Sequence, residues 1–231
     1  MAALTAALVV LLLTAFGSGT SSSPQAAAST PAPAQRLLPA GPPRPQVVAL
    51  RGNLRLQLPI DQSRVTAIGY HAAGGGALAL DPLGRQANEG LFSRVVRRLF
   101  GDEQGGLRYY KLGGESGADT SALDVGAPPG TDVYSPVDGT VVGITPYILN
   151  QKAKGARIDI QPAAAPSYVV TLTHLRPDPA LTVGSAVAAA RSKIGTVLDF
   201  SGIERQALAR YTQDAGNHVS VEVHPAATLG L

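Results

Sequence analysis

From Leu107 onward the chain is a succession of short apolar runs separated by Gly, Pro, Asp and Ser, and this pattern leaves little room for anything but strands. The runs Tyr109–Leu112, Ala122–Val125, Gly139–Ile144, Arg157–Gln161, Tyr168–His174, Lys193–Leu198 and Asn217–Val223 are each four to eight residues long. Runs of that length, rich in Val, Ile, Thr and Tyr and bounded by turn residues, read as strands rather than helices. Their close spacing predicts a mainly β fold, a compact antiparallel sheet or barrel-like domain. Upstream, Leu54, Leu56 and Leu58 alternate with Arg55 and Gln57, the signature of a half-buried strand. Val65–Tyr70 is a further strand candidate, and Gly74, Gly75 and Gly76 break the chain before Ala77–Leu80. The pair Asp138 and Gly139 has the composition of a hairpin turn.

One or two helices are expected as insertions. Over residues 88–100, Leu91, Val95, Val96 and Leu99 fall on one stripe while Arg94, Arg97 and Arg98 face away. A second helix is expected over Ile203–Tyr211, where Ile203, Ala207, Leu208 and Tyr211 share a face.

The first 20 residues carry no charge, and Leu4–Phe16 is apolar before Gly17, Ser18 and Gly19. This reads as a secretory signal peptide or signal anchor over 1–20, although it lacks the usual basic start. Residues 21–45 are Ser, Ala, Pro and Gln with two Arg, a composition that cannot bury a core and is expected to form a disordered linker. Residues 46–231 remain as the folded domain, with an insertion at 72–119. The expected location is extracytoplasmic: secreted, periplasmic or cell-wall associated.

Composition narrows the function classes. There is no cysteine, so neither a disulfide, nor a thiolate metal site, nor a lipid-modified cysteine anchor is available. A net charge of +3 over 231 residues is no nucleic-acid footprint. It permits weak attraction to an anionic envelope.

The chemistry-bearing residues are few. Asp124 lies in the first strand-rich stretch, four residues after Thr120, and His174 sits in a strand with Thr171 and Thr173. In the last strand, period-two alternation puts His218, Ser220, Glu222 and His224 on one face. Taken singly, each histidine reads first as a satisfied structural residue, His224 as a strand end without a role, and Asp132 and Asp138 as turn carboxylates. Asp124 can hydrogen-bond Thr120, Ser220 or a histidine. A serine-hydrolase arrangement of Ser220, Asp124 and His218 or His174 is disfavoured, because no strained nucleophile turn or oxyanion hole is visible. His71 is a strand end with no assigned place.

These residues carry a resemblance. The run from Thr120 through Asp124, Gly130, Thr131, Val133, Ser135, Asp138, Gly139 and Val141 resembles the metal-binding segment of the lysostaphin/LytM-type zinc endopeptidases, H-x-G-x-D followed by G-T-x-V-x-A-x-x-D-G-x-V. Thr171–Leu175 resembles the family's Y-x-H-L strand, and Gly216, His218, Ser220 and Glu222 resemble its G-x-H-L-H-F-E-V. The resemblance covers most of residues 54–224. It implies a LytM-like fold and a zinc held by His, Asp and His, with two flanking histidines beside the attacking water. Carried over residue by residue, Asp124 falls at the carboxylate ligand, Thr120 and Ser220 at the two histidine ligands, and His174 and His218 at the flanking positions. Hydroxyls are poor zinc ligands, so no metal is expected, and His174 and His218 are expected to be vestigial. The enlarged segments 72–119 and 199–215 depart from the family pattern and could cover the cleft.

The leading expectation is therefore an exported LytM-like protein without peptidase activity, binding peptidoglycan or an envelope protein such as a cell-wall hydrolase through a pocket at Thr120, Asp124 and Ser220. Two alternatives stand beside it. One is an active zinc-dependent peptidoglycan endopeptidase with substituted ligands, in which Asp124 holds metal. The other is a hybrid-barrel binding module in which Asp124, His174 and His218 do not converge.

Overall fold

Alternation of apolar and polar residues decides the architecture, strand by strand. A computed structural model of the chain describes residues 41–88, 107–113, 117–203 and 206–228, and Pro39–Leu231 forms one of its two compact units. The other unit, Met1–Leu38, lies outside the described residues, as do the expected signal and most of the expected linker.

The early strands are β1 (Val47–Arg51), β2 (Leu54–Gln57), β3 (Ile68–His71), β4 (Asp81–Pro82), β5 (Arg85–Gln86) and β6 (Arg108–Lys111). They are followed by β7 (Ala122–Gly126), β8 (Asp132–Tyr134), β9 (Gly139–Leu149), β10 (Lys152–Pro162), β11 (Tyr168–Pro177), β12 (Ala186–Val187), β13 (Lys193–Val197) and β14 (His218–Pro225). A small sheet orders β2-β1-β4, and the large sheet runs β12-β9-β10-β11-β14-β7-β3-β6-β5, with β13 joining β11 to β8. The fold is mainly β, and nearly every pairing is antiparallel. The exceptions are β6 with β3 and β6 with β5, which run parallel.

One face of the large sheet is the core. Ile68 and Tyr70, Leu123 and Val125, Ile158 and Ile160, Val170 and Leu172, and Val219, Val221 and Val223 all point into a single buried cluster. Val48, Leu54 and Leu56 of the small sheet join it. The buried Tyr70 hydroxyl donates to the Val48 carbonyl at 2.9 Å, tying the two sheets together. The opposite face carries Gly69 and His71, Asp124, Arg157 and Asp159, Thr171 and Thr173, and His218, Ser220 and Glu222. That face holds the chemistry.

Two expectations are corrected. Asp138 and Gly139 do not turn a hairpin: β8 pairs with β13 rather than β9, and Asp138 instead accepts the Ala189 amide at 2.8 Å. In place of a helix over Ile203–Tyr211 there is a four-residue 3-10 turn, Ala207–Arg210. The shared apolar face is used piecemeal: Leu208 is fully buried with Leu112 and Ala67, while Tyr211 stacks on Tyr110 at 4.3 Å. So short a segment has no helical stability of its own to resist that packing. The expected basic helix at 88–100 lies outside the described residues beyond its first residue.

Candidate functional site

The site is built from two cross-strand rows on the polar face. One row reads Gly143, Asp159, Thr171, Glu222, Ala122 and His71 across β9, β10, β11, β14, β7 and β3. In the next, Thr145 faces Arg157, and Thr173, Ser220, Asp124 and Gly69 follow one another across β11, β14, β7 and β3. Residues far apart in sequence thus lie about 4.8 Å apart, strand to strand. A cleft of about 610 Å³ opens above them, lined by His71, Tyr147, Thr173, His174, Ser220 and Glu222 together with the backbone around Ala72–Gly74.

Asp124 is the centre. It is buried, at 3% exposure, with a different imidazole beside each oxygen, and Oδ1 has no hydrogen-bond partner among the described residues. His71 Nε2 lies 3.3 Å from Oδ2, and His218 Nε2 lies 3.6 Å from Oδ1. Burial opposes ionisation of this carboxyl, but the charge of His218, the hydrogen bond and charge of His71, and the Ser220 hydroxyl outweigh it and hold the pKa well below the carboxylate range. The Asp124 hydrogen bond, working against desolvation, raises His71 to about 9, with the Ala72 carbonyl assisting. His71 is therefore an imidazolium at neutral pH. Its Nδ1–H is spent on the Ala72 carbonyl at 2.9 Å and its Nε2–H on Asp124.

His218 is oriented in the same way, with Nδ1 2.9 Å from the Gly216 carbonyl. Gly216 adopts φ +74°, and a Cβ there would come within 2.4 Å of the Ala209 amide nitrogen. Only glycine can place that carbonyl.

His174 is a different object. It has φ +63°, an uncommon backbone state for a residue with a Cβ. Neither ring nitrogen has a hydrogen-bond partner among the described residues. The ring is packed edge-on between Phe200 at 4.6 Å, His218 at 4.7 Å and Tyr147 at 5.0 Å. Burial first, and the neighbouring His218 second, press its pKa down to about 3. It is a neutral imidazole in an aromatic cage.

Of the expected site residues, Asp124, His174, His218 and Ser220 converge, and the hybrid-barrel alternative with scattered residues is not what the chain forms. Thr120 does not join them. Its hydroxyl donates to the Leu80 carbonyl at 2.7 Å, and its own carbonyl accepts the Leu80 amide at 3.0 Å. The adjacent Ser121 hydroxyl accepts the Ala73 amide at 2.8 Å. The two hydroxyls act as staples that hold residues 73–80 beside the cleft, so Thr120 is corrected from a pocket residue to a fastening one. His224, expected to have no role, is buried and bonded to Glu222 at 2.9 Å. Sequence reasoning missed His71 as the partner of Asp124. The available signal was alternation: Gly69 and His71 share a face in a strand whose neighbours were unknown.

The residues present do not fit a catalytic zinc. Thr120 faces away, Ser220 offers a hydroxyl, and the Asp124 carboxylate is ion-paired to His71 through Oδ2. Among the described residues no three His, Asp or Glu side chains are placed to share a metal ion.

No family model and no curated protein matches the chain. Among solved structures it is similar to a zinc-containing peptidase from Vibrio cholerae, at 22% identity and TM-score 0.32, over 46% of this chain and 26% of that one. It is similar to lysostaphin, at 16% identity and TM-score 0.36, over 51% of this chain and 42% of that one. Similarity to pseudoalterin, an M23 metalloprotease from the deep sea, extends over 75% of this chain and 72% of that one, at 14% identity and TM-score 0.36. The chain therefore spans about a quarter of the length of the first and about two-fifths of the second.

Proposed function

We propose that the chain is an exported, LytM-like envelope protein that binds peptide without cleaving it. The proposed ligand is the peptide part of peptidoglycan, and the alternative partner is an envelope protein such as a cell-wall hydrolase. Residues 1–20 would direct export, 21–45 would act as spacer, and 46–231 would be the binding domain. One observation carries this reading: the carboxylate that a zinc centre would use is ion-paired to His71. A metal ion would have to displace that imidazolium and would find the Ser220 hydroxyl where it needs imidazole. The cleft itself persists, with Ser220 and Thr173 hydroxyls on its floor and an aromatic wall of Tyr147. Such a surface suits an extended backbone, whose amides need donors and acceptors at strand spacing.

The test pairs two measurements on the full chain. Zinc content and affinity are determined without chelator, and cleavage of peptidoglycan is followed by release of new amino groups. The expected result is no stoichiometric zinc, no release, and co-sedimentation with purified peptidoglycan. Chelator-sensitive release lost on Asp124→Ala would overturn the non-cleaving reading and restore a zinc peptidase. Failure to co-sediment would move the search to protein partners.

A further inference from the structure

Beside the 3.6 Å approach of His218 to Asp124, the polar face has three ion pairs among the described residues, and they are not equivalent. In the first, His71 has spent both N–H groups, on Ala72 and on Asp124. In the second, His224 answers Glu222. The third joins Arg157 to Asp159, and here the cation keeps hydrogen-bonding capacity in reserve.

Arg157 is held from one edge. Its Nε donates to both oxygens of Asp159, at 3.0 and 3.2 Å, and Nη2 donates to the Thr171 hydroxyl at 3.4 Å. The Thr171 hydroxyl in turn donates to Asp159 at 2.7 Å. Asp159 and Thr171 are buried, at 8% and 3% exposure, so the guanidinium rests on a rigid support. Both N–H groups of Nη1 and one of Nη2 have no partner among the described residues. The side chain remains one-third exposed, at 33%. A guanidinium clamped through Nε presents the Nη1/Nη2 end, whose parallel N–H groups match a carboxylate.

Its position is equally specific. Arg157 stands opposite Thr145 in the strand next to β11, whose Thr173 borders Ser220 and lines the cleft. Two strand spacings separate it from the Ser220 strand, or about 10 Å. That is about three residues of extended peptide.

We propose that Arg157, oriented by Asp159 and Thr171, anchors a carboxylate of a peptide bound in the cleft. This rests on the peptide-binding reading above and names the chemical group recognised: a free carboxylate lying about three residues from the part of the ligand seated over Asp124 and Ser220.

The probe is the stem tetrapeptide of peptidoglycan, synthesised with all carboxyls free, with only the C-terminus amidated, and with every carboxyl amidated. Affinity for the full chain is measured by calorimetry. The free acid is expected to bind about tenfold or more tightly than the full amide, the range for a hydrogen-bonded charge pair. Arg157→Gln should bring the free acid down to the level of the amide and leave the amide unchanged. Arg157→Lys keeps the charge on Asp159 and, without the fork, should lose most of the preference. It serves where Arg157→Gln fails to fold. The C-terminal amide assigns the carboxylate: weakened binding places it at the terminus, and full affinity places it on a side chain. Equal affinity for acid and amide in the natural chain, or an acid preference surviving both substitutions, overturns the assignment and leaves peptide binding intact. Failure of every form to bind overturns both.

Discussion

At the scale of single residues, the two unusual histidines pull stability in opposite directions with pH. His174 is held neutral with its pKa pressed to about 3, so below pH 6.5 the unfolded chain takes up a proton that the folded chain refuses. Its contribution is complete above about pH 6.5 and is lost as the pH falls toward 3. His71 is raised to about 9, so its contribution is complete below about pH 6.5 and is lost as the pH rises through 9. Urea midpoints are therefore expected to peak near pH 6.5, with His174→Gln flattening the acidic limb and His71→Gln the alkaline one. A profile unchanged in both variants would contradict the geometry of the cleft. The coupling has a spectroscopic reading as well. The His71 ring should titrate near pH 9 by NMR, and Asp124→Asn, which removes its main cause, should bring that midpoint back toward the ordinary histidine range. Asp124, His174, His218 and Ser220 were legible as site residues because short motifs carry them. His71 and Arg157 were not, since nothing local to either residue says which strand lies beside it.

At the scale of elements, described residues of the segments 72–119 and 199–215 meet on the polar face of the sheet, Leu208 against Leu112 and Tyr211 on Tyr110. Leu208 of the Ala207–Arg210 turn rests over two glycines of neighbouring strands: a Cβ on Gly126 would come within 2.7 Å of Leu208, and one on Gly69 within 2.6 Å of Leu112 and 3.0 Å of Leu208. The face that carries Asp124 is thus filled at one end by aliphatic side chains, while Phe200 walls His174 at another. Leu208→Ala is expected to cost about 2–5 kcal/mol, the range for a truncated buried leucine, read as a fall in the urea midpoint at constant slope. Gly216→Ala is expected to cost about 1–3 kcal/mol from its left-handed backbone, with more from the Ala209 contact. Because Gly216 also aims His218, the variant should shift the His218 ring resonances, whereas Leu208→Ala should leave them in place. Strand existence was readable here from length and alternation. The helix expected at Ile203–Tyr211 was not realised because period alone cannot distinguish one helical face from two separate contacts that share its spacing.

At the scale of the whole molecule, the proposed non-cleaving reading has a thermodynamic consequence. A ligand that binds only the folded state raises stability by mass action, about 2.7 kcal/mol at a hundred times its dissociation constant. Added zinc at micromolar levels is expected to leave the thermal midpoint unchanged, and chelator likewise; a rise of several degrees, abolished by Asp124→Ala, would sink the non-cleaving reading. What the sequence determined by itself was the class of the fold and the identity of the central carboxylate. Period-two alternation is a local property, set by how successive side chains leave a strand, and it divides core valines from face histidines wherever the strand is placed. The tertiary structure alone decided what Asp124 faces. Strand order puts His71, 53 residues earlier, beside it, turns Thr120 away to hold Leu80, and sets the Arg157 strand two places from that of Ser220. Those neighbours follow from which strands pair and in what register, a choice made by burial of the whole core rather than by any segment of the chain.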